Sequence, residues 1–430
     1  MKRMVVRFLP LAFLTAALCV LAALALPARA AGPADANWPQ FRGAFNAALA
    51  DISPADLPAE FAEKDFRWNV EIGGVGFGCP AVWGDRAFLL TCDEKTGLRR
   101  VVCVAVDDGK VLWQKDYRLG LVAHNKDNSL AASTPAVDAA RVVVCWASPK
   151  SVMVVALDHS GKELWQRDLG GHKTQHGPSV TPILHEGTVY VANDNMGQSV
   201  LLAIDAASGQ VKWKVDRPSG KEAYGTPLIY RPAGGAAPQL VLSSSAAGLT
   251  AYDLKTGKQL WAALDANPER VVASPVQAGD LVVSSSGTGG RGKCLIAVRP
   301  PASPGGQPET AWQVYRDAPY VPTSVAIGGL LLAVQDTGGI ACYRIATGEL
   351  VWQDKLPGKF YGSPICAAGR IYVISRDGTM FCYAAAEKFQ LLGKTNLGEP
   401  SFATPVFAGK RMLLRTHGRL ICAGKAEKKN

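Results

Sequence analysis

Two stretches of this sequence gather side chains able to hold a polar ligand or move a proton. The first is His124-Asn125-Lys126-Asp127-Asn128; the second holds His172, Lys173, Gln175 and His176. Asn193-Asp194-Asn195 and Gly289-Gly290-Arg291 add amide, carboxylate and guanidinium groups further along. Together they supply hydrogen-bond donors and acceptors of both charges. No complete catalytic set accompanies them: Ser129 lies near His124, but no G-x-S-x-G elbow presents a nucleophile. Adjacent cysteines, C-x-x-C and C-x-x-C-H are all missing, so neither a zinc site nor covalent haem is indicated. We therefore assign no catalytic residue and no metal ligand. The candidate ligand or partner site is His124, Asn125, Lys126, Asp127, Asn128, His176, Asn193, Asp194, Asn195 and Arg291. The same residue types also cap strand ends through side-chain to backbone hydrogen bonds, and both readings stand at this point.

What must position these residues is a repeat. Its cleanest copy runs from Tyr224 to Trp261: a small residue before Pro227, two apolar runs, Ala251-Tyr252-Asp253, a T-G turn at Gly257, and a closing tryptophan. Trp68, Trp113, Trp165, Trp213, Trp261, Trp312 and Trp352 close similar units 40 to 52 residues apart, and Leu392 or its neighbour takes the eighth place. Opening pairs from Cys79-Pro80 to Thr404-Pro405 also count eight, with Thr323-Ser324 standing where Pro is missing. Between them lie β-branched and aromatic runs such as 188–193 and 370–375, bounded by Gly and Asp turns. Four short strands per unit of this length predict an all-β, eight-bladed propeller of four-stranded antiparallel blades. Trp68 has no opening strand before it and Thr404-Pro405 has no closing strand after it. The N-terminal segment is thus expected to supply the outer strand of blade eight, removing exposed sheet edges. The recurring Trp residues read as blade-to-blade packing and not as a cofactor platform.

In a four-stranded meander the connection into each blade and its second-to-third strand loop emerge on one face. The Trp-to-Pro connection is 12 to 14 residues in several units but 22 from Trp113 to Pro135 and 17 from Trp165 to Pro182. Both long insertions carry the polar stretches named above, and parity puts residues 193–195 and 289–291 on the same face. Binding residues concentrate on loops held by a rigid scaffold, so the site is expected near the axis beside blades two, three and five.

The ends set the compartment. Lys2, Arg3 and Arg7 precede an apolar run from Phe8 to Leu26, and Ala28-Arg29-Ala30 offers a cleavage signature. Residues 1–30 are expected to be a secretory signal peptide, giving an exported protein, periplasmic or extracellular. Residues 31–62, rich in Ala and Pro around Trp38 to Gly43, are expected to form a strap over the propeller of residues 63–424, with the choice between strapping and plugging it left open for Trp38 and Arg42; 425–430 is a basic tail. The formal net charge of +10 falls to +6 once Lys2, Arg3, Arg7 and Arg29 leave with the leader, too mild and too scattered to suggest nucleic acid. No later run is long enough to span a bilayer. Nine cysteines remain, and Cys342, Cys382 and Cys422 take the slot of Ala251, where a small buried side chain fits.

With the repeat in hand, the sequence resembles the PQQ-binding-like β-propeller repeat proteins, the superfamily of quinoprotein alcohol dehydrogenases and of the assembly lipoprotein BamB. The resemblance covers nearly all of the chain after residue 30. Trp38-Pro39-Gln40-Phe41-Arg42-Gly43, the loop from His124 to Ser129 leading into Ala131 to Pro135, and Ala318 to Pro322 are similar to a group of exported bacterial propellers. It implies the fold strongly and the activity weakly. The quinoprotein branch implies a vicinal cysteine disulfide over the quinone and acidic ligands for Ca²⁺, and this chain has neither adjacent cysteines nor an acidic cluster. No cofactor is expected, with PQQ and Ca²⁺ as the alternative. The expectation is a monomeric binding or assembly scaffold of the cell envelope recognising a protein or a small polar ligand. A quinoprotein oxidoreductase and a purely structural envelope protein are the alternatives.

Overall fold

The structure is a computed structural model that describes residues 37–289, 293–303 and 305–424. The expected signal peptide, the basic tail and Arg291 lie outside the described residues. Eight four-stranded antiparallel sheets follow one another in chain order as blades 1 to 8, beginning at residues 81, 136, 183, 228, 276, 325, 365 and 406. The outer strand of blade 8 is Phe66–Glu71, paired antiparallel with Arg419–Ala423. The ring is closed by strand exchange between the two ends of the chain, as the offset of the two anchor series implies.

Burial explains the pattern of the runs. Middle strands lie between two neighbouring blades and are buried on both faces, as in Leu281–Ser286. Outer strands have one wet face and alternate strictly, as in Val111–Arg118. In every blade the third and fourth strands slip register by one residue near the closing position. At that slip the closing Trp stands opposite a small residue: Trp113 opposite Cys103, Trp213 opposite Ala203, Trp352 opposite Cys342 and Trp68 opposite Cys422. An indole fits across the pair only when its partner is small, which is why Ala and Cys share the slot. All nine described cysteines are free and buried.

Each tryptophan reaches on to the next blade. The indole N–H of Trp68 donates to the Val106 carbonyl at 3.0 Å, Trp165 to Ala206 at 2.9 Å and Trp213 to Leu254 at 3.1 Å. The ring lies on the glycine of the receiving turn: a Cβ on Gly257 would come within 2.7 Å of Trp213, and one on Gly109 within 2.8 Å of Trp68. Gly257 also has φ of +70°, so the turn and the indole both demand glycine there. Trp261 departs from the rule. In blade 5 the receiving turn is replaced by a longer proline-rich loop, and the indole donates to Gln239 Oε1 instead.

Residues 38–50 run inside the central channel, so that of the two arrangements the sequence left open, strap or plug, the segment adopts the plug. Trp38 exchanges two backbone hydrogen bonds with Val82 of blade 1 and packs against Phe407 of blade 8. Pro39, Gln40 and Asn46 bond blades 2, 3 and 5. The Phe45 ring lies 3.8 Å from the Arg231 guanidinium of blade 4. Leu49–Ala50 joins blade 7 as a parallel strand. The buried Arg42 donates to the carbonyls of Thr323 and Ser324 of blade 6, each at 2.5 Å. The segment thus touches all eight innermost strands. Arg42, Phe45, Asn46 and Ala48 all have positive φ, a left-handed backbone that costs non-glycine residues about 1 kcal/mol or more each. Only contacts with every blade hold such a path. Further on, Leu57 and Phe61 are buried in the core of the last blades, where the outer strand Leu391–Asn396 has no tryptophan.

Candidate functional site

The threaded segment makes the floor of a funnel open on the face that carries the interblade connections. Its cavity is about 360 Å³. Two rings of residues line it, set two apart in sequence because alternate residues of a strand face the same way. The deeper ring is the residue before each opening proline or its equivalent: Cys79, Thr134, Thr181, Thr226, Ser274, Thr323, Ser363 and Thr404. The upper ring is Phe77, Ala132, Ser179, Tyr224, Val272, Val321, Tyr361 and Phe402.

The deeper ring is a belt of hydrogen bonds between blades. The Ser274 N–H donates to Thr323 Oγ1 at 2.9 Å, Thr323 N–H to Ser363 Oγ at 3.0 Å and Ser363 N–H to Thr404 Oγ1 at 2.8 Å. The belt passes through Cys79, whose sulfur accepts from the Thr404 N–H at 3.3 Å while its own N–H donates to Thr134 Oγ1 at 3.1 Å. Except at Thr323, which Ser324 follows, the next residue is a proline that holds the ring residue extended, away from the helical region. A hydroxyl or thiol is required there, beyond mere smallness.

Above the belt the walls divide into two clusters of aromatic rings and paired charges. In the first, Asp127 accepts from Arg376 Nη2 at 2.5 Å and from the Tyr361 hydroxyl at 3.2 Å. The Arg376 guanidinium lies 4.5 Å from the Tyr361 ring and 4.4 Å from Phe402, a cation–π arrangement. Phe402 contacts Phe77 and His417. Burial and the Asp127 charge push the Tyr361 hydroxyl up to about 12, so it stays a donor. In the second cluster Arg270 donates to Gln175 Oε1 at 2.7 Å and faces Glu222 at 3.5 Å. Glu222 also accepts from the Tyr224 hydroxyl at 3.2 Å. Burial alone would raise the Glu222 carboxyl, but its hydrogen bonds and Arg270 outweigh that and hold it below the usual range.

The structure brings four of the sequence-derived candidates to this funnel: Asn125, Asp127, Asn128 and His176. The two long connections dock on one another, the His176 carbonyl accepting from the Asn125 N–H and from Asn128 Nδ2, both at 3.0 Å. His124 stands off the cavity, with Nε2 3.0 Å from Glu94. Lys126 is exposed and does not line it. Asn193, Asp194 and Asn195 are buried beneath the loops. Asp194 takes a bidentate pair from the buried Arg217 at 2.7 and 2.9 Å, and Arg217 also donates to Tyr252 and Thr250. Asn193 accepts from His172 Nδ1 at 2.5 Å, and Asn195 ties residues 193, 197 and 198 together. Gly289 lines the cavity.

Sequence reasoning missed the aromatic walls, Arg270, Glu222, Arg376 and the belt. A signal was present: F-G-C-P, Y-G-T-P, Y-G-S-P and F-A-T-P at Phe77, Tyr224, Tyr361 and Phe402 share an aromatic two residues before the hydroxyl or thiol. Period-two spacing ahead of each opening proline places both on the axis.

The model of the family described as outer membrane protein assembly factor BamB matches residues 62–175, 97–312 and 306–426. The chain belongs to that family. Among solved structures, BamB from Moraxella catarrhalis aligns with a TM-score of 0.59 at 13% identity, covering 84% of this chain and 99% of that one. A europium-containing methanol dehydrogenase gives 0.59 at 12% identity over 90% and 91%. The computationally designed Ika8 protein gives 0.59 at 12% over 83% and 98%. At such identity these likenesses establish the propeller alone. Among curated proteins, subunit 1 of the cytochrome c-linked methanol dehydrogenase of Methylorubrum extorquens is 26% identical over 137 residues, 28% of this chain. The match spans 21% of that protein, about a fifth of its length.

The funnel of this BamB-family chain does not fit a metal-assisted quinone. Its acids Asp127 and Glu222 already face arginines. No group of three His, Cys, Asp or Glu able to hold a metal occurs among the described residues. No two cysteines are adjacent in sequence. Among the described residues no helix is long and apolar enough to cross a membrane.

Proposed function

We propose that the protein is an exported, non-catalytic binding scaffold of the cell envelope that receives a small polar ligand or a segment of a partner protein in its axial funnel. One observation carries this reading. The funnel is a 360 Å³ concavity blocked by residues 38–50 and walled by aromatic rings beside paired charges. Concave sites of this make-up are where proteins hold ligands. The leader-like residues 1–30 and the family's outer-membrane assembly description support the compartment and the scaffold role.

The test compares partners recovered from envelope extract by wild type, by Tyr361→Ala with Arg376→Ala, and by Lys255→Ala on the opposite face. The funnel variant should lose the partner and the Lys255 variant keep it; identical recovery by all three would defeat the reading. In parallel, added PQQ with Ca²⁺ should give no alcohol-dependent dye reduction. Such reduction would favour the oxidoreductase instead.

A further inference from the structure

The funnel floor has a charge imbalance that its walls do not share. Arg270 faces Glu222 and Arg376 pairs with Asp127, so the walls cancel. Behind the lining Arg42 and Arg415 are both fully buried, and neither meets a carboxylate. Arg42 Nη1 and Nη2 take the Thr323 and Ser324 carbonyls. Arg415 Nη1 and Nη2 take the carbonyls of Gly78 and Leu90, each at 2.5 Å. Both Nε atoms lack any partner. Thr323 and Gly78 line the cavity, so each guanidinium sits one peptide group from it. A buried cation with only neutral acceptors is costly, and a nearby anion would relieve that cost. Burial lowers Arg42 to about 9 and Arg415 to about 10, which leaves both charged at neutral pH.

The hydrogen-bonded belt adds donors. Ser274, Thr323 and Ser363 each accept a neighbouring backbone N–H on the side-chain oxygen, and no protein acceptor takes their own hydroxyl hydrogens among the described residues. Accepting one hydrogen bond polarises a hydroxyl toward donating another. All three face the cavity. We propose that the floor of the axial funnel is an anion site that takes a carboxylate, held by the Ser274, Thr323 and Ser363 hydroxyls in the field of Arg42 and Arg415. This inference rests on the funnel being the binding site and names the group that the site recognises. The aromatic ring above would cover the apolar body attached to that carboxylate, whether a free organic acid or the end of a polypeptide.

The experiment is calorimetric titration of the mature chain, in chloride-free buffer, with benzoate and with benzamide as its uncharged isostere. Benzoate should bind saturably, and benzamide roughly tenfold more weakly or worse, because hydrogen bonds to a charged acceptor are the stronger kind. Thr323→Val should weaken benzoate by a similar factor and Thr323→Ser restore it. Arg42→Met should also weaken benzoate, and the Thr323 pair keeps the test independent of whether that variant folds. Two peptides ending in Phe, one with a free and one with an amidated C-terminus, separate the sources: a preference for the free end assigns a chain terminus, and no peptide binding assigns a free acid. Equal binding of benzoate and benzamide, or benzoate binding indifferent to Thr323→Val, would overturn the anion site while leaving the funnel as the binding face. No binding of any of these probes overturns the anion site, and the envelope-partner comparison then decides the funnel separately.

Discussion

His172 shows how a residue that looks functional in sequence can be held by structure. Its Nδ1 donates to Asn193, its Nε2 is buried without a partner, and burial lowers its proton affinity. His185 and His417 are lowered by burial as well. A histidine whose folded pKa lies below its unfolded value binds protons more readily when the chain unfolds. Its contribution to stability is then complete above the unfolded value of about 6.5 and is lost as pH falls through the interval down to the folded value. Asp158, Asp205 and Asp253, held low by hydrogen bonds in their turns, begin to be lost only in far more acid solution. Thermal unfolding should therefore shift downward between pH 7.5 and 5.5, and His172→Gln should flatten that slope. An unchanged slope would mean that His172 binds protons equally well in the folded and unfolded chain. The same lesson holds for Asn193, Asp194 and Asn195. The sequence showed polar residues at a loop, and only the fold reveals that Arg217 and the loop backbone take up their hydrogen bonds.

At the level of the blade, the unit is held by a tryptophan lying on the glycine of the next unit. Gly257→Ala places a Cβ against Trp213 at a residue with φ of +70°. Gly279→Ala meets a similar φ of +65° with nothing within 4 Å. Backbone strain alone should cost each about 1 kcal/mol. The clash should add a further 1 to 3 kcal/mol to Gly257→Ala alone, readable as the difference between the two denaturation midpoints. Equal losses would show that the indole and the turn are not coupled. The Trp and Gly series made the blades legible in sequence because a repeated contact leaves a repeated signature. The path of residues 38–50 was not legible, since it occurs once and its positive-φ residues Arg42, Phe45, Asn46 and Ala48 follow no local propensity. Their conformation is imposed by eight different neighbours, none close in sequence.

Taken whole, the molecule is a closed ring with an asymmetric axis: one end of the channel is filled by its own chain, and the other opens as an aromatic funnel over a belt of hydroxyls. Strand parity identified the open face and the two long connections on it. It did not identify the walls, because Tyr361, Phe402, Phe77 and Tyr224 sit beside structural prolines and read as parts of the repeat. The central claim is that this funnel is where the protein binds. A photo-reactive phenylalanine analogue placed at Tyr361, and separately at Lys255 in a turn on the opposite face, tests it most directly in cells that make the protein. Irradiation should yield a discrete adduct from position 361 that benzoate competes away, and none from position 255. Adducts from position 255 alone, or from both positions alike and indifferent to competitor, would contradict the claim.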